Sequence, residues 1–159
     1  MPILVPTQLT TERLLLRPWS LSGPAAVAAA SRAPDWADDF PAEGDSVIAD
    51  LLARGVIDPL GHRLLVERAS GLVVGTLGFG WPPQDGGVEL GYGVVPSRRG
   101  RGLATEAARA LVTHALTLPG VRTVRASAEP ANPASLRVLE KAGLRRTGES
   151  EGLVHFATA

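Results

Sequence analysis

Residues 96–112 read PSRRGRGLATEAARALV. Arg98, Arg99 and Arg101 crowd around Gly100 and Gly102, and an alanine-rich run follows. The chemistry such a stretch suits is anion binding. A helix start leaves about four backbone N–H groups without partners and carries roughly half a positive charge from the macrodipole. Glycine lets backbone approach a ligand and adopt positive φ. Arginine adds a fixed charge and fork-shaped donors. A strand, this loop and then a helix make a cradle for a phosphate or pyrophosphate. Two other phosphate motifs do not fit. No GxxxxGK[ST] run is present, and GTLGFG (75–80) has the wrong spacing for GxGxxG and lies in a strand. Charge alone leaves a solvated turn or a weak RNA contact open. The place directly before a strong helix favours the cradle.

Two further stretches carry chemistry. In VELGYGVV (88–95), alternation puts Glu89, Gly91, Gly93 and Val95 on one face and Val88, Leu90, Tyr92 and Val94 on the other. Two glycines beside a carboxylate leave room for a ligand to approach backbone. In NPASLRVLEKAG (132–143), Asn132 suits an N-cap, Pro133 the first turn, and Gly143 the position past the end. Ser135 falls in that first turn.

Composition narrows the alternatives. The 159 residues suit one domain with a proper core. Sixteen basic and sixteen acidic side chains cancel, so nothing global points to nucleic acid. The absence of cysteine removes thiol nucleophiles, disulfides and cysteine-ligated zinc, and fits a cytoplasmic protein. His62, His114 and His155 do not pair at metal-ligand spacing, so no metal is expected. Apolar runs are too short to span a bilayer, and MPILVP lacks the features of a signal peptide.

The elements that must hold these residues follow from pattern. RLLLRPW (13–19) reads as a first strand, and GPAAVAAASRA (23–33) as a helix with Pro24 in its first turn. APDWADDFPAEG is a loop, and DSVIADLLARG a helix spaced on Val47, Leu51 and Leu52 with Gly55 as its stop. HRLLVER, LVVGTLGFGW and VELGYGVV form an antiparallel meander punctuated by ASG and PPQDGG. Leu103, Ala107, Leu111, Ala115 and Leu118 share one face of the next helix. VRTVRASAE is a fifth strand, and LRRTGE and LVHFAT close the chain as two more. The order predicts an α+β fold with a mixed sheet.

These residues support a specific resemblance. Arg99-Gly-Arg-Gly102-Leu-Ala104 matches [QR]xxGx[GA], the acyl-CoA pyrophosphate loop of the GNAT acetyltransferase superfamily. TERLLLRPW, VELGYGVVPSRRGRGLATEAARAL and NPASLRVLEKAGLRRTGE together resemble its ribosomal-protein N-terminal acetyltransferase branch, the RimJ/RimL-like group. The likeness covers nearly the whole chain and leaves only residues 23–61 generic. It implies one GNAT domain over 1–159, with a mixed sheet of roughly six to seven strands flanked by about four helices.

The resemblance also implies roles. Acetyl-CoA is the cosubstrate, held by Val94, Val95, Arg99, Gly100, Arg101, Gly102, Leu103, Ala104 and Thr105, with Asn132 and Ser135 along the pantetheine arm. The 88–95 strand is expected to bulge and splay from its neighbour so that the arm pairs with the backbone of Val94 and Val95. Glu89 is the expected general base for the amine, and a salt-bridged surface role is its alternative. Ser135 is the candidate donor to the leaving thiolate, with plain helix capping as the alternative for it and Asn132. Leu139 stands where many relatives place a tyrosine acid, and Leu144 where they prefer Phe. Tyr92 reads as a packed aromatic on the opposite face, able to serve as the acid only if a bulge turns it inward. Trp36, Asp38, Asp39 and Phe40 form an aromatic–acidic loop that the family places beside the acceptor cleft. The expected partner is a primary amine, with a homodimer possible and neither nucleic acid nor membrane. A catalytically silent CoA-binding module and an RNA-binding module are the competing functions.

Overall fold

The computed structural model describes residues 8–19, 34–54 and 61–158. The expected helix at 23–33 and the stop signal Gly55 lie outside these residues. The strands are β1 (Leu9–Thr10), β2 (Leu14–Pro18), β3 (His62–Glu67), β4 (Leu72–Phe79), β5 (Gly87–Val94), β6 (Thr123–Ala128), β7 (Arg145–Ser150) and β8 (Leu153–Ala157). They form one mixed sheet in the order β1-β2-β3-β4-β5-β6-β8-β7. Three α-helices lie among the described residues: α1 (Glu43–Ala53), α2 (Leu103–Ala115) and α3 (Pro133–Lys141). The α+β class and mixed sheet are as the sequence predicts. The sheet is a strand wider than expected because the two-residue β1, too short to show alternation, pairs with β2.

The meander β2 to β5 is antiparallel throughout. β3 and β4 are buried along almost their whole length, His62 and Arg63 of β3 included. β5 and β6 run parallel, and such a pair needs a crossover. α2 supplies it. Ala107, Ala108, Leu111 and Ala115 are fully buried, and the small residues let the helix sit close to the sheet. Leu118 lies beyond the helix end, packed against the core from the turn that follows.

The face of α1 differs from the sequence reading. Asp45, Ala49 and Leu52 are its buried residues, while Val47 is 55% exposed. Apolar spacing pointed to Val47. A polar contact from Asp45 to Thr76 turns the helix instead.

The feature that shapes the site is where β5 leaves β6. Their register covers only Gly87–Thr123, Val88–Val124 and Glu89–Arg125. Beyond it, β5 stays with β4 from Leu90–Phe79 to Val94–Gly75. β6 stays with β8 from Arg125–Ala157 to Ala128–Val154. A wedge opens after Glu89. The expected bulge in β5 does not appear in its register with β4, which is unbroken over these residues. Register shifts occur instead at Leu65/Val66 and Arg146/Gly148.

One carboxylate ties the β1–β2 turn to α2. Glu106 accepts from Thr11 Oγ1 (2.5 Å), Arg13 N (2.8 Å) and Arg13 Nε (2.8 Å). Desolvation pushes the Glu106 carboxyl up, but these hydrogen bonds and the Arg13 charge outweigh it and leave it below its ordinary value. A depressed folded-state pKa contributes stability above the unfolded value, and that stability is lost as pH falls through the folded one. Glu106→Gln should therefore cost about 1–3 kcal/mol near neutral pH. The gap to wild type should close on acidification well below about pH 4.3. Urea melts across this range test it, and a gap that persists in acid would show that the ionised carboxylate is not its source.

Candidate active site

The arginine–glycine loop is a 3-10 turn, Pro96–Arg98, followed by two residues of left-handed backbone. Gly100 has φ +77° and Gly102 φ +78°. Gly102 is the N-cap of α2 and brings no side chain to cap the first turn. α3 is different, since Asn132 Oδ1 accepts from Ser135 N at 3.2 Å. The N–H groups that open α2, at the positive end of the helix, therefore receive no side-chain cap from Gly102. Leu103 anchors this end in the core, while Ala104 and Thr105 are half-buried.

The arginines have separate tasks. Arg98 Nε pairs with Glu67 at 3.0 Å and is neutralised. Arg99 is exposed, and its Nε donates to Val94 O at 2.8 Å. Arg101 is exposed, and its carbonyl accepts from Arg13 Nη1 at 2.7 Å. Its guanidinium makes no hydrogen bond among the described residues. Two of the three cations thus remain available beside the helix start. Val94 and Val95 are buried, and Val95 N closes the β4 pairing on Val74 O at 2.9 Å.

The wedge has two faces. On one, Glu89 is exposed, and its only close partner among the described residues is Ser127 Oγ at 3.5 Å. A side chain at Gly91 would meet nothing within 4 Å, and one at Gly93 only Asp45 Oδ1 at 3.6 Å. The room beside the strand expected from sequence is present. Asp45 itself is buried and accepts from Thr76 Oγ1 (2.7 Å) and Ala42 N (2.9 Å). Burial pushes its carboxyl up, against the pull of those bonds and of Arg99.

On the other face, half-buried Tyr92 reaches α3. Its hydroxyl lies 2.7 Å from Ser135 Oγ, a contact in which either oxygen can donate, and 3.4 Å from Ser135 O. Burial raises the phenol above its usual value, and the bond to Ser135 offsets this in part. Leu139 is 1% exposed, so it is a core residue of α3.

The segment around Trp36 is not a single open cluster. Trp36 and Phe40 are 8% and 1% exposed and pack edge-to-face at 5.4 Å. The segment is clipped to β4 by Ala37 N to Val73 O (3.0 Å) and Val73 N to Asp35 O (2.7 Å). It takes over the edge of β4 just where β5 ends. Asp39 accepts from Ser97 N (2.8 Å) and Ser97 Oγ (2.9 Å), which ties this segment to the arginine–glycine loop. Desolvation raises the Asp39 carboxyl, but the bonds from Ser97 outweigh it and hold it below its ordinary value. Asp38 is the exposed member.

The histidines lie apart from this site. His114 Nε2 is 3.4 Å from Arg63 Nη2, and burial, then the Arg63 charge, lowers its pKa. His155 bonds Ser150 Oγ at 2.7 Å, and His62 is buried. No metal-binding group occurs among the described residues. A cavity of about 750 Å³ runs along the outer side of α2, reaching Gly102 and Thr105. Neither Glu89 nor Ser135 lines it.

Residues 13–145 match the acetyltransferase (GNAT) domain family. The chain belongs to that family. It is 32% identical over 94 residues to YjdG, an uncharacterized N-acetyltransferase of Bacillus subtilis (strain 168), a stretch that covers 58% of this chain and 56% of that one. The chain spans about half the length of the curated relatives it matches. Among solved structures it resembles a GNAT-family acetyltransferase of Bordetella pertussis, with 28% identity, TM-score 0.68, and 96% and 99% of the two chains covered. The fold also matches RimL, a ribosomal L7/L12 alpha-N-protein acetyltransferase solved with coenzyme A, at 19% identity and TM-score 0.64, covering 95% and 97%.

Two contacts beside the wedge have no signal in the sequence, Asp45 with Thr76 and Tyr92 with Ser135. Asp45 sits in a helix start and looked like an ordinary acidic residue there. Its burial depends on Thr76, 31 positions away. Tyr92 was assigned the correct face, but its partner Ser135 is 43 residues distant and no spacing rule links them.

The geometry of the loop leads to one expected outcome. Gly102→Val forces a β-branched residue into left-handed backbone and sets a side chain beside the open helix start. It should cost about 1–2 kcal/mol of stability and weaken acetyl-CoA binding from the micromolar range by at least about tenfold. Calorimetry with a melting curve on the same sample measures both. Unchanged affinity would remove the loop from the binding site.

Proposed function

We propose that this chain transfers an acetyl group from acetyl-CoA to a primary amine by direct attack within a ternary complex. The observation that carries the reading is the wedge. It sets Glu89 on one face and Ser135 on the other, with the glycine-capped start of α2 at its end. The pyrophosphate would rest on the N–H groups of Leu103, Ala104 and Thr105, between Arg99 and Arg101. Gly100 and Gly102 keep that approach clear. The pantetheine arm would lie along Val94 and Val95, past Asn132, with its amides pairing to backbone as an added strand.

In the reaction, the neutral amine nitrogen attacks the thioester carbon. Glu89 takes the proton that the amine must lose, directly or through water. The C–S bond then breaks, and the thiolate takes a proton from Ser135. Glu89 suits its part because it is solvent-accessible and weakly engaged, so its proton can pass to water. Ser135 suits its part because its backbone is fixed in the Asn132-capped first turn of α3.

The acceptor side is the Glu89 face. Asp38, an exposed carboxylate, would draw a cationic amine toward it. Trp36 and Phe40 would shape the site from beneath, and Asp39 would act by fixing Ser97. A single carboxylate base favours an amine that is often neutral. A free α-amine titrates near roughly 7.7–8.0 and a lysine near about 10.4, so at pH 7.4 roughly a fifth to a third of the first is neutral but only about a thousandth of the second. Free peptide N-termini or small α-amino compounds are the expected substrates.

Two measurements test this. With such an acceptor, Glu89→Gln should lower kcat/KM by about 10² to 10⁴, and the loss should shrink as pH rises and the amine deprotonates unaided. A fall of less than about threefold at neutral pH would leave Glu89 a surface residue. In a paired assay of released CoA thiol, peptides with free N-termini should outperform N-terminally blocked peptides containing lysine. Equal rates would reject the α-amine preference.

A further inference from the structure

Tyr92 has a hydroxyl that packing alone does not require. The ring is half-buried against α3, and a phenylalanine would fill the same space. Among the described residues, the hydroxyl has one side chain to meet, Ser135, at 2.7 Å. The placement of this pair is informative. Tyr92 lies in the half of β5 that has left β6. Ser135 lies in the first turn of α3, the helix that follows β6 in the chain. Their hydrogen bond therefore bridges the wedge from one diverging strand to the continuation of the other.

We propose that Tyr92 is a positioning residue for acetyl transfer, donating to Ser135 Oγ so that the Ser135 proton points into the wedge, and resupplying that proton as it is given up. The proposal rests on the reading of Ser135 as donor to the thiolate.

The chemistry favours this direction of donation. A serine hydroxyl has one proton. If it were spent on Tyr92, none would remain for the leaving group. A phenol is a much stronger acid than an aliphatic alcohol, so the tyrosine is the natural donor of the two. Serine acting alone would be left as an alkoxide, a poor product near neutral pH. With Tyr92 behind it the balance is better. The C–S bond breaks, the thiolate takes the Ser135 proton, Ser135 Oγ takes the Tyr92 proton, and the negative charge ends delocalised on a phenolate. Water returns the proton after the thiol leaves. Burial keeps the phenol protonated between turnovers. The face of α3 offers no tyrosine of its own, since Leu139 is in the core, and Tyr92 is the only tyrosine in the chain.

The test compares Tyr92→Phe, Ser135→Ala and the double variant, with melting curves and acetyl-CoA affinities taken on the same samples. Two thioesters are used: acetyl-CoA, and the acetyl ester of an acidic aryl thiol, whose thiolate leaves without a proton. Tyr92→Phe should lower kcat with acetyl-CoA by about tenfold or more while its affinity stays within about twofold. It should turn over the aryl thioester within about twofold of wild type. The double variant should be no slower than the slower single one, because the two residues act in series. Tyr92→Phe turning over acetyl-CoA like wild type would overturn the proposal, as would equal losses with both thioesters or single losses that multiply in the double variant. If Ser135→Ala is slow in any of these cases, the reading of Ser135 stands without Tyr92. If Ser135→Ala turns over acetyl-CoA normally, both readings fall.

Discussion

After Glu89, β5 keeps its hydrogen bonds to β4 and gives up those to β6. An interior strand normally bonds on both sides, because buried backbone groups need partners. Here the sheet leaves one side of a strand open in its own middle. The rest of the site follows from that constraint. An amide-bearing ligand can pair with the open backbone as a strand would. The two faces of the wedge give such a ligand different surroundings, with Glu89, Gly91 and Gly93 on one and Tyr92 with Ser135 on the other. α2 begins where β5 ends, so its positive terminus closes the wedge at one end.

Holding a sheet open takes fixed supports, and three carboxylates supply them. Glu106 pins the β1–β2 turn to the start of α2. Asp39 pins the Trp36 segment to the 3-10 turn of the arginine–glycine loop. Asp45 pins α1 to β4 beside Gly93. Each accepts two or three hydrogen bonds, which offsets part of the cost of drawing a carboxylate out of water. All three lie around the arginine–glycine loop without neutralising it. Arg98 alone of the loop cations has a carboxylate partner. Charge is thereby kept where an anion would bind, in a chain whose net charge is zero.

The family is shown over residues 13–145, which is most of the chain. The acceptor side is a different case. A pyrophosphate and a pantetheine arm can be held by backbone geometry and glycine, which the sequence displays directly. An acceptor is recognised by side chains, and those depend on contacts made across the fold.

Much of this protein was legible in its residues alone. Glycine at 102 marks left-handed backbone, because other residues pay sterically there, and alanine after it marks a helix close to a sheet. Asn132, Pro133 and Gly143 bound α3 because helix ends have local chemical needs. The meander shows in alternation and turn residues for the same reason. What the residues did not disclose depends on distant partners. Val47 looks like a core residue until Thr76 captures Asp45 and turns the helix. Trp36 and Phe40 look like a binding surface until β4 draws their segment into the sheet. Tyr92 looks like packing until Ser135 arrives from across the wedge. Periodicity and capping act over one or two turns of chain, so a sequence can specify them directly. A hydrogen bond between residues 31 or 43 positions apart exists only once the strands between them have paired, and that was decided by the tertiary structure.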